Sequence, residues 1–302
     1  TMSIKNKIAD SDSVFFLPVK FIFYRYYNKY YQVNNIIKNC RINDDGNILV
    51  ELKSGIKLTS APSKYTADKN FTERYKFGIK SKLDKIIDVD RFFFLYELIS
   101  ELFLYNQYFN YTNLKEGDTV IDAGANIGGF VVQAAQKIGK SGKIIAIEPD
   151  EDNRKILQKN LDLNDIKNCV IIPNALWSEK CTKEFFMSHR PGEHTLIDYE
   201  NDSHFIKKNV TTIYCERLDD IINNLNLKNI DYLKMDIEGA EIEALKGAED
   251  FLKNQNPFLM IEALHSVNGE PAYKTLIPYL ESFGYKLLRE VEQQRGTIFA
   301  RK

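Results

Sequence analysis

Twelve residues, Asp118 to Gly129, read D-T-V-I-D-A-G-A-N-I-G-G and have the types and spacing to hold a ligand with backbone groups. Val120 and Ile121 end a short apolar run of the kind that forms a buried parallel strand. Asp122 stands where that strand stops, and Gly124, Gly128 and Gly129 punctuate a turn into a helix starting near Ile127. Such a turn brings N–H groups and a helix N-terminus close to a ligand. A second set of polar residues follows two later apolar runs: Asp236 and Glu238 after the fourth core strand, Glu262 and His265 after the fifth. Groups of this kind can align a hydroxyl and take its proton. A lone strand-end acid is more often structural, but four together, with Lys234 inside the same strand as Asp236, favour a pocket.

The glycines also say which ligand. A dinucleotide turn needs G-x-G-x-x-G, its second glycine admitting a pyrophosphate. Here the aligned positions are Gly124, Asn126 and Gly129, so a side chain stands where the pyrophosphate would come closest. Glu148, followed by Pro149, ends the second strand and is placed to accept hydrogen bonds from both hydroxyls of a ribose. Asn174 and Ala175 follow the third strand, where an amide and a close backbone suit a purine. Asp122, Gly124, Gly128 and Glu148 thus describe a nucleoside site with no phosphate cradle, and S-adenosylmethionine is a ligand of that kind. Asn126 and Pro149 belong to the same two turns.

These turns need a scaffold. From Lys115 onward strand and helix patterns alternate: strand 118–121, helix 127–138, strand 143–147, helix 151–163, strand 170–172. After a break come a helix near Leu218, strand 231–235, helix 240–252, strand 257–261, helix 273–283, and an antiparallel hairpin of 285–288 with 297–300. The alternation predicts an α/β, doubly wound, mostly parallel seven-stranded sheet. In the break, strands 183–187 and 210–214 flank a polar segment holding His189, Arg190, Gly192, His194 and His204. An amphipathic helix over 91–108 leads into this core, carrying Glu97 and Glu101 four residues apart. Of these, Glu97 is taken as a carboxylate turned toward the ligand.

The first 88 residues form an appendage, with the core domain at 89–302. Residues 12–37 interleave aromatics with lysine and arginine, read as a helix packing on the core, though such a stretch could also touch a membrane surface. Short runs broken by Asp45-Gly46 and Ser54-Gly55 predict a small β-meander, and 61–88 reads as loop and short helix. Thr1 ahead of Met2 reads as an added residue and is set aside.

Composition bounds the function. The net charge of −1 supplies no general basic field, which disfavours nucleic acid. Cys40, Cys169, Cys181 and Cys215 form no C-x-x-C, and adding the four histidines yields no metal-ligand spacing. Reduced thiols in a cytoplasmic protein are expected. No run approaches the ~20 apolar residues of a membrane span. Residues 14–24, interrupted by Pro18 and Lys20, lack the cleavage site of a signal peptide.

The sequence resembles the FkbM family of S-adenosylmethionine-dependent methyltransferases. The matching pieces are E-G-D-T-V-I-D-A-G-A-N-I-G-G, G-K-I-I-A-I-E-P-D, P-N-A-L-W, R-L-D-D-I, D-Y-L-K-M-D-I-E-G-A-E and L-M-I-E-A-L-H, over roughly residues 115–265. The first two occur in many methyltransferases, and the segment around Asp236–Glu241 is more specific. The resemblance implies an O-methyltransferase acting on a sugar, a glycan or glycolipid, or a related polyhydroxylated metabolite, with S-adenosylhomocysteine as product. His265 or Glu238 is then the expected base, Asp236 a residue shared by cofactor and acceptor, and Glu262 a holder of His265 or of the acceptor. Metal independence is the expectation, although Asp236, Glu238 and Glu262 offer hard oxygen ligands. The alternatives are an RNA or other small-molecule methyltransferase, or a non-catalytic subunit that keeps the cofactor fold.

Overall fold

The computed structural model describes residues 32–61, 94–188, 194–197, 205–288 and 296–302, apart from 34, 96 and 268. The aromatic stretch before residue 32, the 62–88 segment, and His189, Arg190, Gly192 and His204 lie outside the described residues.

Three short strands come first: β1 (Ile37–Ile42), β2 (Ile48–Leu52) and β3 (Lys57–Ser60), an antiparallel meander as expected. The core then runs β4 (Thr119–Ala123), α1 (Gly129–Ile138), β5 (Lys143–Ile147), α2 (Glu151–Leu163) and β6 (Cys169–Ile172). A side sheet follows, built of β7 (Ala175–Leu176), β8 (Cys181–Ser188) and β9 (Phe205–Glu216). The chain returns through α3 (Leu218–Asn224), β10 (Tyr232–Met235), α4 (Glu241–Lys246), α5 (Glu249–Asn254) and β11 (Phe258–Glu262). It ends with the bridge strands β12 (Ser266–Val267) and β13 (Glu270–Pro271), then α6 (Tyr273–Ser282), β14 (Lys286–Leu287) and β15 (Thr297–Arg301).

The main sheet has seven strands in the order β14-β15-β11-β10-β4-β5-β6. Its ladders are parallel from β6 through β11, and β15 adds antiparallel to β11 and β14. The fold class is therefore the expected one. Alternation along each strand explains why the runs are apolar throughout. Ile121, Ile145, Leu233, Leu259 and Ile298 pack against α3 to α6. Val120, Ile144, Met260 and Phe299 pack on the other face against α1 and α2.

Register builds the site. Ala123 is level with Ile147 and Met235, and Ile147 with Ile172. Met235 is level with Ile261. The next residues, Gly124, Glu148, Asp236 and Glu262, therefore emerge along one edge. That edge includes the point where the connections diverge, β5 and β6 to one side of β4 and β10 to the other, where α/β sheets bind ligands.

Three elements depart from the pattern. The 240–252 helix is broken into α4 and α5. A Cβ on Gly247 would stand 2.2 Å from the Trp177 carbonyl oxygen, and the Asp219 carboxylate caps α5 by accepting from the Asp250 and Phe251 N–H groups. The helix leading into the core becomes one π-turn at Ser100–Leu104 and ends before Asn106, whose φ of 54° cannot continue it. The strands flanking the polar segment pair with each other as β8 and β9, and a bridge from Phe186 to Thr195 returns part of that segment to the sheet.

Candidate active site

A cavity of about 420 Å³ opens at the carboxyl edge of the sheet. Ten of the expected residues line it: Gly124, Asn126, Glu148, Pro149, Asn174, Ala175, Asp236, Glu238, Glu262 and His265.

At one end the turn after β4 is held tightly. A Cβ on Gly124, which has φ +79°, would lie 1.9 Å from the Asp236 carbonyl oxygen, so only glycine lets β4 and β10 end this close. Asn126 adopts φ 50°, a left-handed conformation that asparagine tolerates better than most residues. Its N–H donates to Glu148 Oε2 at 2.8 Å, and its own Oδ1 accepts from the Ile127 N–H at 2.6 Å. The second oxygen of Glu148 accepts from the Asp150 N–H at 2.9 Å. Burial outweighs these bonds and pushes the Glu148 carboxyl up to about 7.

At the other end Glu262 reaches the cavity from β11. Its Oε2 accepts from the Thr297 hydroxyl at 3.2 Å, and that hydroxyl accepts in turn from Gln107 at 3.4 Å. Burial, with the charge of Asp236 adding to it, raises Glu262 to about 7. His265 Nε2 lies 3.0 Å from Glu238 Oε2, and Nδ1 lies 3.6 Å from Glu241 Oε1. Burial alone would lower this imidazole, but the two carboxylates outweigh it and hold the ring protonated well above its ordinary range. A ring held this way is a poor proton acceptor.

Three expected residues do not line the cavity. Asp122 is fully buried below it, because strand alternation turns its side chain toward the α1 layer; there it meets Lys234 Nζ at 3.1 Å. Burial raises Asp122 to about 6 despite that lysine. Gly128 instead starts α1, where a Cβ would lie 2.3 Å from Leu157 Cδ1. Glu97 is replaced at the wall by Glu101, one turn further on.

Lys234, expected in the pocket's strand, donates to the Gly124 carbonyl at 3.0 Å and so ties the turn to β10. Sequence reasoning missed several other contributors. The buried Tyr108 hydroxyl lies 3.4 Å from Asp236 Oδ2. Phe185, His194 and Leu196 close one wall from the side sheet. Glu241 is the one miss with a signal: it sits in the same D-I-E-G-A-E run as Asp236 and Glu238.

The Methyltransferase FkbM domain profile matches residues 122–287, more than half of the chain. The chain belongs to the FkbM methyltransferase family. It is 29% identical over 238 residues to Methyltransferase sdnD of Sordaria araneosa, covering 68% of this chain and 90% of that protein. It is 28% identical over 186 residues to Methyltransferase 1 of Beauveria bassiana, covering 57% and 73% respectively. A crystal structure of Methyltransferase FkbM from Methylobacillus flagellatus KT aligns with a TM-score of 0.45 and 20% identity. That alignment covers 65% of this chain and 46% of the solved one, so this chain spans about half of that protein.

As a member of this family the chain is an S-adenosylmethionine-dependent methyltransferase. Its residues fit that cofactor: the buried Glu148 carboxylate is fixed by backbone N–H groups at the cavity wall, and Gly124 leaves no side chain in the turn beside it. Among the described residues no helix is long and apolar enough to cross a membrane.

Proposed function

We propose that the chain transfers a methyl group to a hydroxyl oxygen of a sugar or related polyhydroxylated small molecule. The observation that carries this reading is the convergence of Asp236, Glu238, Glu262 and His265 on one cavity whose far end holds Glu148 and Gly124. Carboxylates are strong acceptors for several hydroxyl donors at once, which suits a polyol better than an apolar substrate. When bound, S-adenosylmethionine supplies an electrophilic methyl group. Glu148 holds the ribose hydroxyls, and Asn174 with Ala175 flank the base. Asp236, braced by Tyr108 and Lys234, orients the acceptor. Glu262 takes the proton from the attacking hydroxyl, since a carboxyl that titrates near neutrality can act as base there. His265 and Glu238 position the acceptor as a charged pair.

A screen of nucleotide sugars, lipid-linked sugars and free glycans with methyl-labelled cofactor tests this. Label should appear on an ether oxygen, and Glu262→Gln should lower kcat by roughly 10²–10⁴-fold with little change in S-adenosylhomocysteine affinity. Label transferred only to nitrogen, carbon or RNA would sink the reading.

A further inference from the structure

We propose that Asp236, Glu241 and His265 form a binding site for one divalent first-row cation at the acceptor end of the cavity. One oxygen of each carboxylate and one ring nitrogen lie within 4.8 Å of one another. The 3.6 Å between His265 Nδ1 and Glu241 Oε1 is too long for a hydrogen bond. It suits two neighbouring ligands of one cation, which stand roughly 3–4 Å apart when each bond is about 2.0–2.2 Å.

The second observation is what this cluster leaves unsatisfied. Glu241 is fully buried, yet its Oε2 has no hydrogen-bond partner among the described residues, and neither has His265 Nδ1. Buried polar atoms without partners are costly and uncommon. Both belong to groups that ligate cations, and both side chains are held in place. Glu241 Oε1 accepts from the N–H groups of Ile237 at 3.0 Å and Gly239 at 3.3 Å. His265 Nε2 faces Glu238 Oε2 at 3.0 Å, and a metal-bound histidine usually gives its other N–H to a carboxylate in this manner. Glu238 holds that place from a left-handed backbone, φ 55°, with its carbonyl accepting the Thr195 hydroxyl at 2.6 Å.

Charge points the same way. Asp236, Glu238 and Glu262 line one end of the cavity and Glu241 is buried beside His265, while Lys234 is shared with Asp122. Two carboxylates and an imidazole favour Mn²⁺, Fe²⁺ or Zn²⁺ over Ca²⁺. The proposal runs against the metal independence expected from sequence, and its role rests on the acceptor reading above. The bound cation holds the acceptor hydroxyl and lowers its pKa. The O–H proton passes to Glu262 as the new O–CH₃ bond forms and the sulfonium S–CH₃ bond breaks, its electron pair returning to sulfur to leave S-adenosylhomocysteine, with no change of oxidation state.

The full chain, stripped with a chelator, is titrated with Mn²⁺, and free ion is followed by electron paramagnetic resonance. One saturable site per chain is expected, with nitrogen modulation of the bound ion's spin echo from His265. Glu241→Gln and His265→Ala should each weaken Mn²⁺ at least tenfold, while Glu262→Gln leaves it unchanged. S-adenosylhomocysteine titration verifies that each variant is folded. Wild-type protein that binds S-adenosylhomocysteine but shows no saturable Mn²⁺, or bound Mn²⁺ without nitrogen coupling, overturns the site. A chain that binds Mn²⁺ as expected but methylates no polyhydroxylated acceptor overturns the acceptor reading alone.

Discussion

Glu148 shows how one strand-end residue becomes a sensor of its own burial. Its two oxygens accept the Asn126 and Asp150 N–H groups, yet burial raises it to about 7. Only the ionised carboxylate accepts freely from ribose hydroxyls. Because the pKa is raised, the binding-competent form is complete above about 8 and lost as pH falls through 7. S-adenosylhomocysteine affinity measured by calorimetry should therefore weaken about tenfold per pH unit well below 7. Glu148→Gln should flatten that profile and cost about tenfold or more at pH 8, since hydrogen bonds to charged groups contribute about 1.5–3 kcal/mol. A variant with the wild-type slope would place the titration elsewhere. At this scale the sequence was legible where spacing fixes position: Gly124, Glu148, Asp236 and Glu262 each follow a strand whose end can be read. It was opaque where direction matters. Asp122 and Gly124 are two residues apart, but β4 runs on to Ala123, which keeps Asp122 inside the buried strand and leaves Gly124 past its end.

Between elements, the decisive contact is the one from β4 to β10. Their parallel register sets Asp122 opposite Lys234, and the lysine also reaches the Gly124 carbonyl and Asp236. Burial would lower Lys234, but Asp122 and Asp236 outweigh it and hold the lysine charged. Lys234→Met strands a buried aspartate and should cost about 3–5 kcal/mol in urea unfolding at pH 8. The sign of its pH dependence follows from Asp122. That carboxyl already titrates near 6 when folded, against about 3.9 unfolded. Its ionisation therefore opposes folding increasingly as pH rises through this window, and removing the lysine widens it. The deficit should be small near pH 4 and full at pH 8, and Asp122→Asn/Lys234→Met should recover much of it. Equal deficits at both pH values would mean lost packing rather than a stranded charge. Pairings such as this one, or Cys181 opposite Cys215 on β8 and β9, join residues far apart in sequence, so periodicity alone does not disclose them. The α4–α5 break escaped notice for the same reason: its causes, Trp177 and Asp219, lie on other elements.

Over the whole molecule, the meander and the catalytic sheet share one seam, and two asparagines, one on α2 and one at its C-cap, hold it. The doubly wound class was legible because strand and helix patterns that alternate with short connections leave few architectures. The seam was not, since Asn160 lies within a helix pattern and Asn164 just past its end, and spacing marks neither as a partner of residues 57–59. In the structure Asn160 is fully buried; its Oδ1 accepts the Thr59 N–H at 2.6 Å and its Nδ2 donates to the Thr59 carbonyl at 3.1 Å. Asn164, one turn on, does the same for Lys57, at 3.0 and 2.6 Å. Two side-chain amides thus serve β3 as a neighbouring strand would, covering an edge that could otherwise pair with another chain. The Asn160 amide also donates to the Ile127 carbonyl at 2.7 Å, inside the cofactor turn. Beside it, Ile127, Val132 and Ile156 pack in one cluster with Ile48, Val50 and Leu58 of the meander. Asn160→Ala orphans groups on both sides of the seam, at roughly 1–3 kcal/mol each. Hydrogen exchange should show protection lost at 57–60 while 143–147, within the sheet, stays protected. S-adenosylhomocysteine should bind more weakly in the same variant, because the turn at Ile127 loses its tether. Loosening of β3 with unchanged cofactor affinity would show that the meander and the turn are not coupled through Asn160.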